Sequence, residues 1–158
     1  MLKEIFKKSY SKIHNSIFDY KPLKKLPSEW ASENIYFTKA ESRFAGFLKY
    51  DITPYAIEII DNFSPTSPVE MFALMKCSQM GGTATILIPA ICYIISENPS
   101  NTMFLSGNET LVKDTIRDRL DPVIMNSGLS GLIRPSVVKK KNQKSGDTDS
   151  KKEFAGGS

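Results

Sequence analysis

A chain of 158 residues, 41% hydrophobic and 24% charged, is long enough for one packed domain and apolar enough to fold it, which excludes a wholly disordered chain, a collagen-like repeat and a disulfide-stapled miniprotein. Its net charge of +4 is unevenly spread: residues 1–25 carry +5 and residues 139–152 carry +4, whereas residues 26–138 carry −4 and Glu153 the remaining −1. Two cysteines, Cys77 and Cys92, are too few for a disulfide framework and read as interior thiols in a reducing, cytosolic setting.

In chain order, Leu2, Ile5, Phe6, Tyr10, Ile13, Ile17 and Phe18 fall near helical spacing with lysines between them, which predicts an amphipathic helix over 2–18. Lys7, Lys8 and Lys12 interrupt any apolar core that a secretory signal would need. A linker with two prolines follows over 21–28, and Ser28 is placed to cap a short helix from Glu29. Pro54 opens a helix over 54–63 with Tyr55, Ile59, Ile60 and Phe63 on one face, and Ser64, Pro65, Ser67 and Pro68 end it. Residues 69–75, a nearly continuous apolar run, read as a buried parallel strand. The run from Ala84 to Ile95 reads as a buried helix kinked near its start by Pro89. It is well short of the roughly 20 residues that a membrane span requires, so no membrane partner is expected. Asn98-Pro99-Ser100 turns the chain, residues 102–105 read as a second strand, and Asn108 caps a helix that runs from Glu109 towards Met125. Strand, glycine loop, helix, strand and helix in this order build a right-handed parallel βαβ unit. Beyond Leu132 the pattern fades into lysine, serine and aspartate.

Residues 76–83 (Lys-Cys-Ser-Gln-Met-Gly-Gly-Thr) lie between the expected strand and the expected helix, which is the setting of a phosphate-binding loop. Such a loop needs glycines where backbone N–H groups converge on an oxyanion, a lysine for the outer phosphates and a hydroxyl for Mg2+. Laid on the pattern G-x-x-x-x-G-K-[ST], Gly81 is the second glycine and Thr83 the hydroxyl. Lys76 stands where the first glycine is usual, and Gly82 where the lysine is usual. From the strand exit, Lys76 is long enough to reach phosphates from the opposite side of the loop. The competing reading of the same residues is a glycine turn with no ligand. The candidate nucleotide-binding residues are Lys76, Ser78, Gln79, Met80, Gly81, Gly82 and Thr83, with Thr83 also the metal ligand, and no catalytic residue is assigned.

The ordered set Pro27-Ser-Glu-Trp-Ala-Ser-Glu-Asn34, Thr53-Pro-Tyr55 to Ile59-Ile-Asp61, Met75-Lys-Cys-Ser-Gln-Met-Gly-Gly-Thr83, Asn98-Pro99, Lys113-Asp114, Arg117-Asp118-Arg119-Leu120-Asp121-Pro122 and Phe154-Ala-Gly-Gly-Ser carries a family resemblance. Residues 27–158 resemble the N-terminal part of the ATPase domain of the large terminase subunit of tailed phages, of the lambda-like GpA type. That resemblance implies an α/β fold, a partial P-loop NTPase with a parallel βαβ core, preceded by the amphipathic helix. It divides the chain into a helix-and-linker segment, 1–26, and the ATPase part, 27–158. It implies ATP and Mg2+ as ligands, and a phosphate loop that begins with a basic residue, as Lys76 does. The family's loop commonly ends Gly-Lys-Ser/Thr, so Gly82 departs from it and leaves charge neutralisation to Lys76. An aromatic upstream of the loop contacts adenine in related terminases, and Phe44 falls at that place; base stacking on an aromatic face is worth about 1–3 kcal/mol.

The resemblance further implies a motor that translocates viral DNA into a procapsid in the host cytoplasm. Its partners would be double-stranded DNA, the portal and procapsid, and a small terminase subunit docked on helix 2–18. The family's acidic Mg2+ motif would lie beyond Gly156-Gly157 and its nuclease further on, so the chain reads as truncated, binding nucleotide weakly and hydrolysing none alone. Two other classes compete. One is a non-catalytic interaction module or prophage remnant that holds a partner through helix 2–18. The other is a DNA-binding protein that uses its basic ends, with steeply salt-dependent affinity.

Overall fold

The computed structural model describes residues 25–135, the paired backbone of 137–140 and 143–145, and residues 151–157. The helix expected over 2–18 and most of the linker lie outside the described residues. The first described helix, α1, spans Pro27–Asn34, with proline in its first turn, where a missing N–H costs nothing. Ser28 does not cap it. Its N–H and hydroxyl instead donate to Asp61 Oδ1 and Oδ2 at 2.9 and 3.0 Å, which ties α1 to the end of α2, Tyr55–Asp61. Between them, β1 (Tyr36–Phe37) and β2 (Gly46–Phe47) pair antiparallel, and Tyr36 packs edge-on against Phe47 at 5.4 Å.

The long apolar helix forms as expected, with an irregular start. A π-helical turn, Thr83–Leu87, runs directly into α3, Ile88–Ser96. Asn108 caps α4, Glu109–Thr115, by accepting the Leu111 N–H at 2.7 Å. A second π-helical turn, Ile116–Leu120, then leads into α5, Asp121–Asn126. Each π turn ends two residues before a proline, Pro89 or Pro122. Proline has no N–H for the carbonyl four residues back, so the local register widens there instead of the helix breaking. A 3-10 turn, Leu129–Leu132, follows Gly128 at φ 72°. In the region where the sequence pattern fades, β3 (Val137–Lys140) and β4 (Gln143–Ser145) form an antiparallel hairpin.

The core centres on α3, whose Cys92 and Tyr93 are fully buried, with Trp30 of α1 edge-on to Tyr93 at 5.7 Å. Ile35, Ala56, Ile60, Leu120, Val123 and Ile124 close around it. Burial pushes the Cys92 thiol up to about 12, so it stays a neutral packing group. Cys77 is exposed, against the expectation that both cysteines lie inside. The C-terminal strap is held by the Arg134 N–H to Glu153 carbonyl bond at 2.7 Å and by Lys152 to Asp121 at 2.8 Å. A Cβ at Gly157 would stand 2.5 Å from the Ser100 carbonyl oxygen, so the strap's close approach to the 99–100 turn requires glycine.

The parallel βαβ core expected from the sequence is not formed among the described residues. Residues 69–75 and 102–105 pair with no strand, and the sheets present are two antiparallel pairs. Continuous apolar runs become parallel strands only when neighbouring strands satisfy their backbone and both faces are covered. Here Met71 is 89% and Met75 100% exposed, so neither condition is met.

Candidate functional site

Residues 76–83 do lie where the sequence puts them, immediately before the long apolar helix. Gln79 and Gly81 take left-handed backbone, φ 60° and 76°, and Gly82 returns to the right-handed region at φ −53° before the π turn begins at Thr83. Alternation of hand at successive residues turns neighbouring N–H groups to one side, the geometry of an anion-binding nest. The two glycines are needed for different reasons. At Gly81 a Cβ would meet only Thr85 Cγ2, at an ordinary 3.7 Å, so the requirement there is conformational. At Gly82 the backbone is ordinary, but a Cβ would stand 3.2 Å from both Cδ and Cε of Lys76. Lys76 therefore crosses the loop, with its methylene stem lying over the start of the helix.

The polar groups of the loop divide sharply. The side chains of Lys76, Ser78, Gln79 and Thr83 make no hydrogen bond or ion pair with another described residue, and the backbone N–H groups of residues 78–81 donate to none. Two carbonyls near the loop's end are occupied. The Met80 carbonyl accepts from the Tyr55 hydroxyl. The Gly81 carbonyl accepts from the Thr85 N–H at 2.9 Å and the Thr85 hydroxyl at 3.1 Å. The Thr85 carbonyl, which Pro89 cannot serve, accepts from the buried Tyr50 hydroxyl at 3.1 Å. Burial, and secondarily the charge of Asp61, pushes the Tyr50 hydroxyl well above its ordinary range, so it remains a donor.

Sequence reasoning missed Tyr50 and Thr85 as loop supports, and it set Tyr55 on the apolar face of its helix. That face does bury Ile60 and partly buries Ile59 and Phe63, but Tyr55 is 40% exposed and reaches the loop. Phe44 is 61% exposed on the segment between β1 and β2, its N–H donating to Ser42 Oγ at 3.1 Å, and no hydrogen bond or ring contact joins it to residues 76–83. A cavity of about 430 Å3 opens beside Ala84, with Glu41, Asp114, Asp118 and Arg119 in its wall. Its carboxylates already have partners: Asp114 and Asp118 meet Arg117 at 3.0 and 2.8 Å, and Glu41 accepts from Asn126 Nδ2 at 2.8 Å. The Arg117 hydrogen bond holds the Asp118 carboxyl below the usual carboxylate range. Among the described residues no group of three His, Cys, Asp or Glu could hold a metal ion, and no helix is long and apolar enough to cross a membrane.

Residues 42–158, well over half of the chain, match the family model of the phage terminase large subunit gpA ATPase domain. The comparisons with curated proteins and with solved structures return no match. The chain belongs to the gpA terminase ATPase family. It is part of an ATP-binding phage DNA-packaging motor, a reading that the family match favours over a partner-docking remnant. A P-loop NTPase-like fold follows from that membership.

Proposed function

We propose that residues 76–83 cradle the triphosphate of ATP in this motor. Lys76 supplies the cation, and the backbone of Ser78, Gln79, Met80, Gly81, Gly82 and Thr83 supplies the donors. One observation carries the reading: the loop's donors and its lysine are uncommitted while the Met80 and Gly81 carbonyls are bonded away. Uncommitted donors gathered at the start of a helix suit an anion. The Lys76 ammonium, carried across the loop on a stem lying over Gly82, takes the place of the lysine that Gly82 lacks. Charge-assisted hydrogen bonds of this kind are about twice as strong as neutral ones.

The residues present fit one protein ligand for Mg2+. The Thr83 hydroxyl has no partner among the described residues and sits where the loop meets the helix, so phosphate oxygens and water would complete the shell. When bound, Mg2+ supplies charge neutralisation along the phosphates. Phe44, exposed and upstream of the loop, offers a face on which adenine can stack. In the complete assembly the partners are double-stranded DNA, the small terminase subunit at segment 1–26, and the portal and procapsid, in the host cytoplasm. Residues 27–158 form the ATPase part.

Titration calorimetry with ATPγS and Mg2+ tests the assignment. The chain binds, and Lys76→Ala weakens binding by about tenfold or more, the worth of a hydrogen bond to a charged group. Equal affinities for the two proteins would remove Lys76 from the site.

A further inference from the structure

We infer that Tyr55 is a positioning residue for the nucleotide loop, an inference that rests on residues 76–83 being the phosphate cradle. The argument starts from the polarity of a peptide. Each residue of the loop carries a donor and an acceptor, and a carbonyl turned towards a triphosphate repels it as surely as an N–H attracts it. A short loop therefore binds an anion best when the carbonyls beside its converging N–H groups are held elsewhere. In this chain the Met80 carbonyl is held from outside the loop. The Tyr55 hydroxyl, on the first residue of α2, reaches forward across 25 positions to take the Met80 carbonyl. The next carbonyl, that of Gly81, is taken from within the helix by Thr85.

The placement matters because of what lies beside it. The Met80 carbonyl belongs to the peptide that joins Met80 to Gly81, and Gly81 holds φ 76° with no Cβ to restrict it. Rotation of that peptide would present the Met80 carbonyl at the mouth of the nest. The Tyr55 bond opposes that rotation. Tyr55 is also the looser of two tyrosines in the region: Tyr50 is buried at 6% exposure and braces the Thr85 carbonyl, whereas Tyr55 is 40% exposed. Loss of the Tyr55 hydroxyl removes one bond at a half-open surface and leaves the core intact, which separates its role from a structural one.

The test is Tyr55→Phe in the full chain, with affinities for ATPγS with Mg2+ and for AMP measured by calorimetry and with thermal unfolding recorded alongside. We expect ATPγS to bind about five- to tenfold more weakly, the worth of one hydrogen bond, with AMP affinity and the unfolding midpoint unchanged. The selectivity for triphosphate over monophosphate thus falls, a change that a merely structural tyrosine would not produce. Equal ATPγS affinity in the two proteins, or a parallel loss for ATPγS and AMP, overturns the role of Tyr55 and leaves the cradle standing. If the unaltered chain binds no ATPγS, the cradle itself fails and Tyr55's role fails with it.

Discussion

Gly82 and Lys76 occupy one volume between them. The space that a side chain at 82 would fill already contains the lysine stem, at 3.2 Å from the missing Cβ. Lysine at the start of the loop and glycine near its end are therefore two halves of one arrangement. A lysine added at 82 must push Lys76 aside and gains little while both compete for the same phosphate. The two positions should be strongly coupled. Gly82→Lys alone leaves ATPγS affinity unchanged or lowers it, Lys76→Ala lowers it, and the double substitution recovers much of the loss. The coupling free energy from the four affinities should fall within the 0.5–3 kcal/mol, roughly, seen for residues in contact. Additive effects would show that the stem and the helix start do not share that space. The glycine loop and its displaced lysine were legible in the sequence because composition and spacing carry them. The tyrosines were not. Their bonds to Met80 and Thr85 span 25 and 35 positions and leave no local pattern.

The helices show which punctuation a sequence announces and which it hides. Pro54 placed α2 to within two residues, Asn108 fixed the start of α4 and the apolar run fixed the end of α3 at Ser96, because proline and asparagine act on the turn they occupy. The single helix expected from Glu109 towards Met125 is instead divided at Ile116–Leu120, and α3 starts at Ile88 after a π turn. The π turns were half-legible: Pro89 foretold an irregular start to α3, but the register it produced depends on what else serves the Thr85 carbonyl. Tyr50 serves it. Tyr50→Phe leaves that carbonyl buried without its donor and should cost about 1–3 kcal/mol of stability in urea unfolding. Pro89→Ala returns an N–H to position 89 and allows the turn to tighten to α-helical register, so Tyr50→Phe should cost less in the Pro89→Ala background. Equal costs in both backgrounds would mean that the tyrosine acts through packing alone. The expected strands failed for a different reason. An apolar run states that a segment must be covered on both faces, but the strands that would cover 69–75 are not encoded in those seven residues.

At the scale of the whole molecule, the unpaired runs leave a surface unlike that of an ordinary soluble domain. Met71, Met75, Met103 and Leu105 are each at least 79% exposed, while the core around Tyr93 is closed. Full burial of such a side chain is worth about 1.5–3 kcal/mol, so these runs carry a standing drive towards any apolar surface or strand edge offered to them. The drive is not opposed by charge, since residues 26–138 carry only −4. The chain should therefore bind a hydrophobic dye while natively folded and self-associate as its concentration rises, both measurable below its unfolding midpoint. Met71→Lys with Met75→Lys should lower dye binding and shift sedimentation towards the monomer. Because neither side chain supports the core, the unfolding free energy should move by no more than about 0.5 kcal/mol, the usual range for surface substitutions. A larger loss of stability would show that Met71 and Met75 are packed against the fold, as Phe72 between them already is by its edge-on contact with Phe63 at 5.4 Å.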